Sequence, residues 1–151
     1  MAGRDAEAVQ FGPLAGWIGF NLRMAQAAAF QAFAREAFGV DETRPGRFAT
    51  LTLIAENPGI SQTALSRANG RDKSTLTPLL NDLVKRGLVA RERTKTDRRT
   101  YRLTLTTEGQ AALRRLTESA RRHEANLDRL VGRADRARFL RILKRISSSL
   151  A

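Results

Sequence analysis

Two adjoining stretches decide the fold: Ser61 to Lys85, SQTALSRANGRDKSTLTPLLNDLVK, and Gly87 to Leu105, GLVARERTKTDRRTYRLTL. In the first, Ser61 stands where a side-chain oxygen caps a short helix from Gln62 to about Ala68, with Ala64, Leu65 and Ala68 as its inner side. Asn69-Gly70 supplies a left-handed exit. Asp72 then caps a helix running to about Arg86. Leu76, Leu79, Leu80 and Leu83 share one face of it, Ser74, Pro78, Asn81 and Lys85 lie opposite, and Arg71 and Thr77 mark the edges. Two short helices joined by a Gly-containing turn form a helix-turn-helix, whose second helix is the one that enters a DNA major groove.

In the second stretch the period changes. Leu88 to Arg93 is followed by a polar, basic tip, Thr94 to Arg99, and then by Tyr101, Leu103 and Leu105 alternating with Arg102 and Thr104, which reads as a β-hairpin. A helix-turn-helix followed at once by such a hairpin is a winged helix, with the wing's cations set to reach phosphates or a minor groove. Upstream, Thr43 is placed to cap a helix with Pro45 in its first turn and Phe48, Leu51 and Ala55 on one face, stopped by Asn57-Pro58-Gly59. Pro78 breaks a local rule, because at the sixth helical position it forfeits a bond to the Ser74 carbonyl. Its outward ring is either a tolerated kink or a contact for a thymine methyl.

Charge supports this arrangement. Of 151 residues, 27 are Lys or Arg and 15 are Asp or Glu, a net charge of +12 that favours polyanionic partners. Eleven basic and four acidic residues fall between Arg67 and Arg102, so seven of the twelve net charges sit in these 36 residues. With no Cys and one His, the chain offers no Cys/His metal site and no thiol nucleophile, so no metal and no cofactor are expected. His123 has no nucleophile elbow, phosphate loop or second His beside it, and no catalytic residue is assigned. No apolar stretch approaches ~18 residues; Met24 to Ala34 is interrupted by Gln26 and Gln31. Without a basic-then-apolar N-terminus, the expectation is a cytoplasmic protein with no membrane partner.

The run Ile60-Ser61-Gln62-Thr63-Ala64-Leu65-Ser66, then Asp72 to Leu80, Gly87-Leu88-Val89, Asp97-Arg98-Arg99 and Leu105-Thr106-x-x-Gly109 resembles the MarR family of bacterial transcription regulators, over roughly residues 43 to 115. The resemblance implies an all-helical dimer with winged-helix DNA-binding lobes, usually repressing genes until a small molecule, often a phenolic or aromatic acid, weakens DNA binding. It also implies that Asp72 to Pro78 open the recognition helix, that Asp97 and Arg99 are the wing's Asp-x-Arg, and that Arg99 enters the minor groove.

The flanks extend the expectation. From about Pro13 to Phe38 a long amphipathic helix carries Leu14, Ile18, Leu22, Ala25, Ala29 and Ala32/Phe33 along one stripe, widened by Trp17, Phe20, Met24 and Ala28. Thr106 caps a helix to about Val131 with Leu113, Leu116, Ala120, His123, Leu127 and Leu130 in line, and a last helix past Gly132 offers Phe139, Leu140, Leu143, Ile146 and Leu150. Stripes this long need each other or a second chain. Asn21 and His123 interrupt the apolar stripes; they are either hydrogen-bonded groups of the core or of a dimer interface, or the polar lining of a ligand cavity.

The fold expected is therefore mainly α: a winged helix-turn-helix at 41–105, and a helical dimerisation region from 1–40 and 106–151. The expected DNA-binding residues are Ser61, Arg71, Lys73, Ser74, Thr75, Thr77, Pro78, Asn81, Arg91, Arg93, Lys95, Asp97, Arg98 and Arg99. The expected ligand-binding residues are Trp17, Phe20, Asn21, Met24, Arg47, Phe48, Thr52 and His123, with Arg47 or Arg23 holding an anion. The expected partners are a palindromic duplex operator, an aromatic acid or its coenzyme A thioester, and a second copy of the chain. The alternative is a nucleic-acid binder that answers to no ligand, architectural or RNA-directed; against RNA, Tyr101 stands alone in the hairpin with no second aromatic for base stacking.

Overall fold

The computed structural model describes residues 9–37, 46–93 and 101–150. A short 3-10 turn, Gly12–Gly16, precedes α1 (Ile18–Glu36) and α2 (Arg47–Glu56). Then come β1 (Ile60–Ser61), α3 (Gln62–Asn69), α4 (Lys73–Lys85), the hairpin strands β2 (Val89–Arg93) and β3 (Tyr101–Leu105), and the long helices α5 (Thr107–Val131) and α6 (Arg133–Leu150). The architecture is the mainly helical, winged one expected.

Side-chain caps set the starts of three helices. Ser61 Oγ accepts from the Ala64 N–H at 3.2 Å, Asp72 Oδ1 from the Thr75 N–H at 2.8 Å, and Thr106 Oγ1 from the Gly109 N–H at 2.9 Å, each satisfying a donor the helix leaves orphaned. Thr106 also donates to the Gly87 carbonyl at 2.6 Å, which pins α5 to the turn after α4. Gly109 is required there, because a β-carbon would collide with the Leu88 carbonyl. The sheet is antiparallel in the order β1-β3-β2, with Val89 opposite Leu105, Arg93 opposite Tyr101 and Ile60 opposite Leu103. β1 is an addition to the hairpin read from the sequence.

One core holds these parts together. Leu51 and Ile54 of α2, Leu65 of α3, Leu76, Leu80 and Leu83 of α4, and Leu88, Val89 and Leu103 of the hairpin are buried with Ala112 and Leu116 of α5. At ~1.5–3 kcal/mol for each large aliphatic side chain removed from water, this cluster is the main source of the lobe's stability. It crosses Thr106, so the first half of α5 packs as part of the winged-helix core.

Three N-terminal expectations are corrected. The helix expected from about Pro13 is broken at Trp17, whose extended backbone (φ −85°, ψ 127°) separates the 3-10 turn from α1. Pro13 sits at the start of that turn, where its missing N–H costs nothing. Asn21 is exposed in the first turns of α1 and donates to the Ala15 and Trp17 carbonyls at 3.0 and 2.8 Å, fastening the turn to the helix. In the single chain it is not a core group, and it lies off the described cavity walls. The second helix begins at Arg47 behind Gly46 (φ 87°), later than a cap at Thr43 implies; Thr43 and Pro45 lie outside the described residues.

Candidate nucleic-acid interface and effector cavity

The outer face of α4 is polar, small and exposed, as a helix bound for a groove must be. Lys73, Ser74, Thr75, Pro78 and Asn81 are all exposed. Ser74 Oγ donates to Asp72 Oδ1 at 2.6 Å; this bond, with the Thr75 backbone N–H, holds the Asp72 carboxyl below the usual carboxylate range. Thr77 is half-buried and accepts from Gln62 Nε2 at 2.9 Å, a brace between α3 and α4. Ser61 is half-buried with its hydroxyl committed to its cap.

At the base of the wing, Arg91 and Arg93 stack on Tyr101, with guanidinium carbons 5.4 and 5.6 Å from the ring centroid. Arg91 Nη1 donates to Asn81 Oδ1 at 3.2 Å and Arg93 Nε to the Tyr101 hydroxyl at 3.3 Å. These contacts tie the wing's base to the last turns of α4, so the two candidate DNA-contacting elements are fixed relative to one another. Lys95, Asp97, Arg98 and Arg99, the expected tip contacts, lie outside the described residues.

Behind this face, a cavity of about 850 Å³ opens between α1, α2, α5 and the turn from α3 to α4. Ala29, Phe30, Phe33, Phe48, Ala120 and Leu127 form its apolar walls, and Asn69, Arg71, Thr117, Arg121, His123 and Glu124 place polar groups on it. Phe33 meets Phe48 at 6.2 Å and the edge of His123 at 5.6 Å between ring centroids, so the aromatic wall spans three helices. Its volume is in the range of small-molecule sites, and apolar walls with a few convergent polar groups are what a flat aromatic ligand requires.

The structure brings Phe48 and His123 together on this cavity and leaves the other expected ligand residues off its described walls. Trp17, Phe20, Asn21 and Met24 lie earlier along α1; Trp17 is 59% exposed, and Phe20 packs on Phe11 at 5.6 Å. Thr52 Oγ1 donates to the Phe48 carbonyl at 2.8 Å. Arg47 is 2% exposed and bound to Asp82 of α4, so its charge is spent inside the lobe. Arg23 lies over the Phe20 ring, 5.2 Å from its centroid. The α1 residues that do line the cavity, Gln26, Ala29, Phe30 and Phe33, recur at helical spacing, and that repeat was the signal available in the sequence. Arg71, expected at the DNA, is on the cavity lining.

A family model described as "MarR family" matches residues 40–100. The chain is 37% identical over 145 residues, 96% of its own length and 87% of the relative's, to the putative transcriptional regulatory protein for the hcr operon of Thauera aromatica. The chain belongs to the MarR family. Among solved structures, the transcriptional repressor CouR bound to a 23-mer DNA duplex matches with a TM-score of 0.82 and 35% identity, over 93% of this chain and 99% of that one. CouR bound to p-coumaroyl-CoA matches with the same TM-score at 32% identity, over 93% and 98%. The protein is thus a transcriptional regulator of MarR type.

Proposed function

We propose that this MarR-type regulator is a homodimeric repressor that leaves its operator when an aromatic acid, free or as its coenzyme A thioester, enters the cavity behind α4. The observation that carries the reading is the position of that cavity: its walls include α1 and α5 on one side and Asn69 to Arg71, the turn leading into α4, on the other. A ligand that prefers a recognition-helix spacing misfitted to B-DNA shifts the population away from the bound form. A ~100-fold preference supplies about 2.7 kcal/mol, enough to vacate a nanomolar site. CouR, with its DNA-bound and p-coumaroyl-CoA-bound structures, supports the pairing of these two activities on this fold.

The dimer reading rests on the flanks. Val9, Phe11, Trp17 and Ile18 before and at the start of α1, and Phe139 and Leu150 of α6, are exposed in the single chain. A two-fold partner covering them also sets two α4 helices on successive major-groove turns, ~34–36 Å apart. In this reading 1–40 and 106–151 supply the dimer, 41–105 reads DNA, and the protein works in the cytoplasm as a regulator without catalytic residues.

The test is a shift assay on the intergenic DNA beside its own gene, with hydroxy- and methoxybenzoates, cinnamates and their thioesters as additives. Affinity should fall on the order of 10³-fold between 50 and 200 mM salt if about six phosphates per dimer are neutralised. His123→Ala should weaken effector binding by about three- to tenfold, the worth of one aromatic edge contact. A DNA affinity indifferent to salt, or DNA release by none of these compounds, would contradict the reading.

A further inference from the structure

Arg71 follows Gly70, whose φ of 60° ends α3, and directly precedes Asp72, the cap of α4. Its backbone is tied back to α3 twice: its N–H donates to the Ser66 carbonyl at 3.2 Å, and the Ser66 hydroxyl donates to the Arg71 carbonyl. The side chain does not continue outward with α4. It lies across Gly46, the cap of α2, so closely that a β-carbon there would collide with the guanidinium, and it forms part of the cavity wall shared by Phe48 and His123. Glycine at 46 therefore serves both a positive φ and the passage of this side chain.

The charges on the cavity differ in what they are spent on. Arg121 is largely exposed and pairs with Glu118 at 3.8 Å, one turn back on α5. Glu124 pairs with Arg136 of α6 at 3.7 Å. Arg71 is half-buried, and among the described residues its guanidinium makes no hydrogen bond and no ion pair. A guanidinium carries five donors in a fixed fork that matches a carboxylate. Partly withdrawn from water, with that fork unpaired among the described residues, it is the anion receptor that the described walls offer.

We propose that Arg71 grips the carboxyl-derived oxygen of the effector's aromatic acyl group, and that this grip, one residue from the cap of α4, carries ligand binding to the recognition helix. The inference rests on the effector-site reading above and adds the residue and route by which that site reaches DNA. An oxygen held by Arg71 places the aromatic ring toward Phe33, Phe48 and His123. Any displacement of Arg71 is passed to Asp72 and so to the helix bearing Ser74, Thr75 and Pro78.

Calorimetric titration of the full-length protein with 4-hydroxycinnamate, its coenzyme A thioester and the neutral 4-hydroxycinnamamide separates the possibilities. Arg71→Ala should weaken binding of whichever acyl form the wild type takes by about tenfold or more, the loss expected when a hydrogen bond from a charged guanidinium is removed, as a fork on the free carboxylate or as a single bond to the thioester carbonyl. For the free acid it should also abolish the preference over the amide. Arg71→Lys should recover part of the loss, since it keeps the charge but not the fork, and Arg121→Ala should change binding less than about threefold, as an exposed pair does. In the shift assay, the ligand concentration that halves DNA binding should rise in Arg71→Ala in step with the calorimetric loss. A thermal melt confirms that each variant is folded, and Arg71→Gln serves if Arg71→Ala is not. If wild type binds a probe and Arg71→Ala binds it equally well, or Arg121→Ala shows the larger loss, the inference is overturned while the effector site stands. If wild type binds none of the probes, the site and the inference fall together.

Discussion

Leu76, Leu80 and Leu83 of α4 are fully buried, whereas no residue of the 3-10 turn, α1 or α6 is. The winged-helix lobe closes its core with its own segments, including the first half of α5. The flanks leave Trp17 59%, Ile18 71% and Leu150 83% exposed in the single chain. The ion pairs between α5 and α6, Arg136 with Asp128 and Glu124, are exposed and contribute little in water. Two regions of one chain thus differ: one closes its apolar surface by intramolecular packing, the other leaves apolar surface exposed in the single chain, which the proposed dimer would cover.

The largest effect should come from the lobe. Leu80→Ala removes a fully buried side chain from the centre of the cluster and should cost about 2–5 kcal/mol, read from the urea midpoint at one protein concentration. Phe139→Ala on α6 should cost far less in the same measurement, since that ring is already 42% exposed. Equal losses would erase the distinction between the two regions. Next in size is Ile18→Glu, which should raise the dimer dissociation constant at least about tenfold, because a two-fold contact is altered twice and each lost aliphatic burial is worth ~1.5–3 kcal/mol. Sedimentation equilibrium measures it. Unchanged association would place the interface elsewhere than on the N-terminal segment.

The same contrast explains what the sequence could disclose. In the lobe, local signals agreed with the global fold: Ser61, Asp72 and Thr106 cap the helices they were expected to cap, Gly70 ends α3, and the change of period at Leu88 marks the hairpin. β1 was illegible because two residues, Ile60 and Ser61, carry no period; only pairing with β3 makes them a strand. In the flanks, periodicity identifies which face of α1 is apolar but not how far along its axis α5 crosses. The cavity therefore falls at Gln26 to Phe33 rather than at Trp17 to Met24. The direction of Arg71 was hidden for another reason: a residue just before a helix cap belongs to neither face of the helix, and only the passage over Gly46 decides where it points.

Thr106 joins the two regions, and its effect should be intermediate. Thr106→Ala removes both the cap of α5 and the bond to the Gly87 carbonyl, at about 1 kcal/mol. Because the capped end of α5 carries Gly109, Ala112 and Leu116 into the lobe core, the loss should appear in the lobe's unfolding rather than in dimer affinity. A variant that dissociates without losing unfolding stability would show that α5 belongs with the flank from its first turn.

The smallest effect is expected at Asn21. Its two hydrogen bonds to the Ala15 and Trp17 carbonyls are exposed to water, which replaces them at little cost, and the Trp17 carbonyl already accepts the Asn21 N–H at 3.1 Å. Alanine is also the better helix former, which offsets part of any loss. Asn21→Ala should therefore stay within about 0.5 kcal/mol of wild type in unfolding, as surface substitutions do. It should change effector affinity less than about twofold, against the three- to tenfold expected for His123→Ala. Both numbers come from one urea titration and one calorimetric series. A tenfold loss of effector affinity in Asn21→Ala would extend the cavity to the start of α1, and the division between a self-sufficient lobe and an exposed flank would have to be redrawn there.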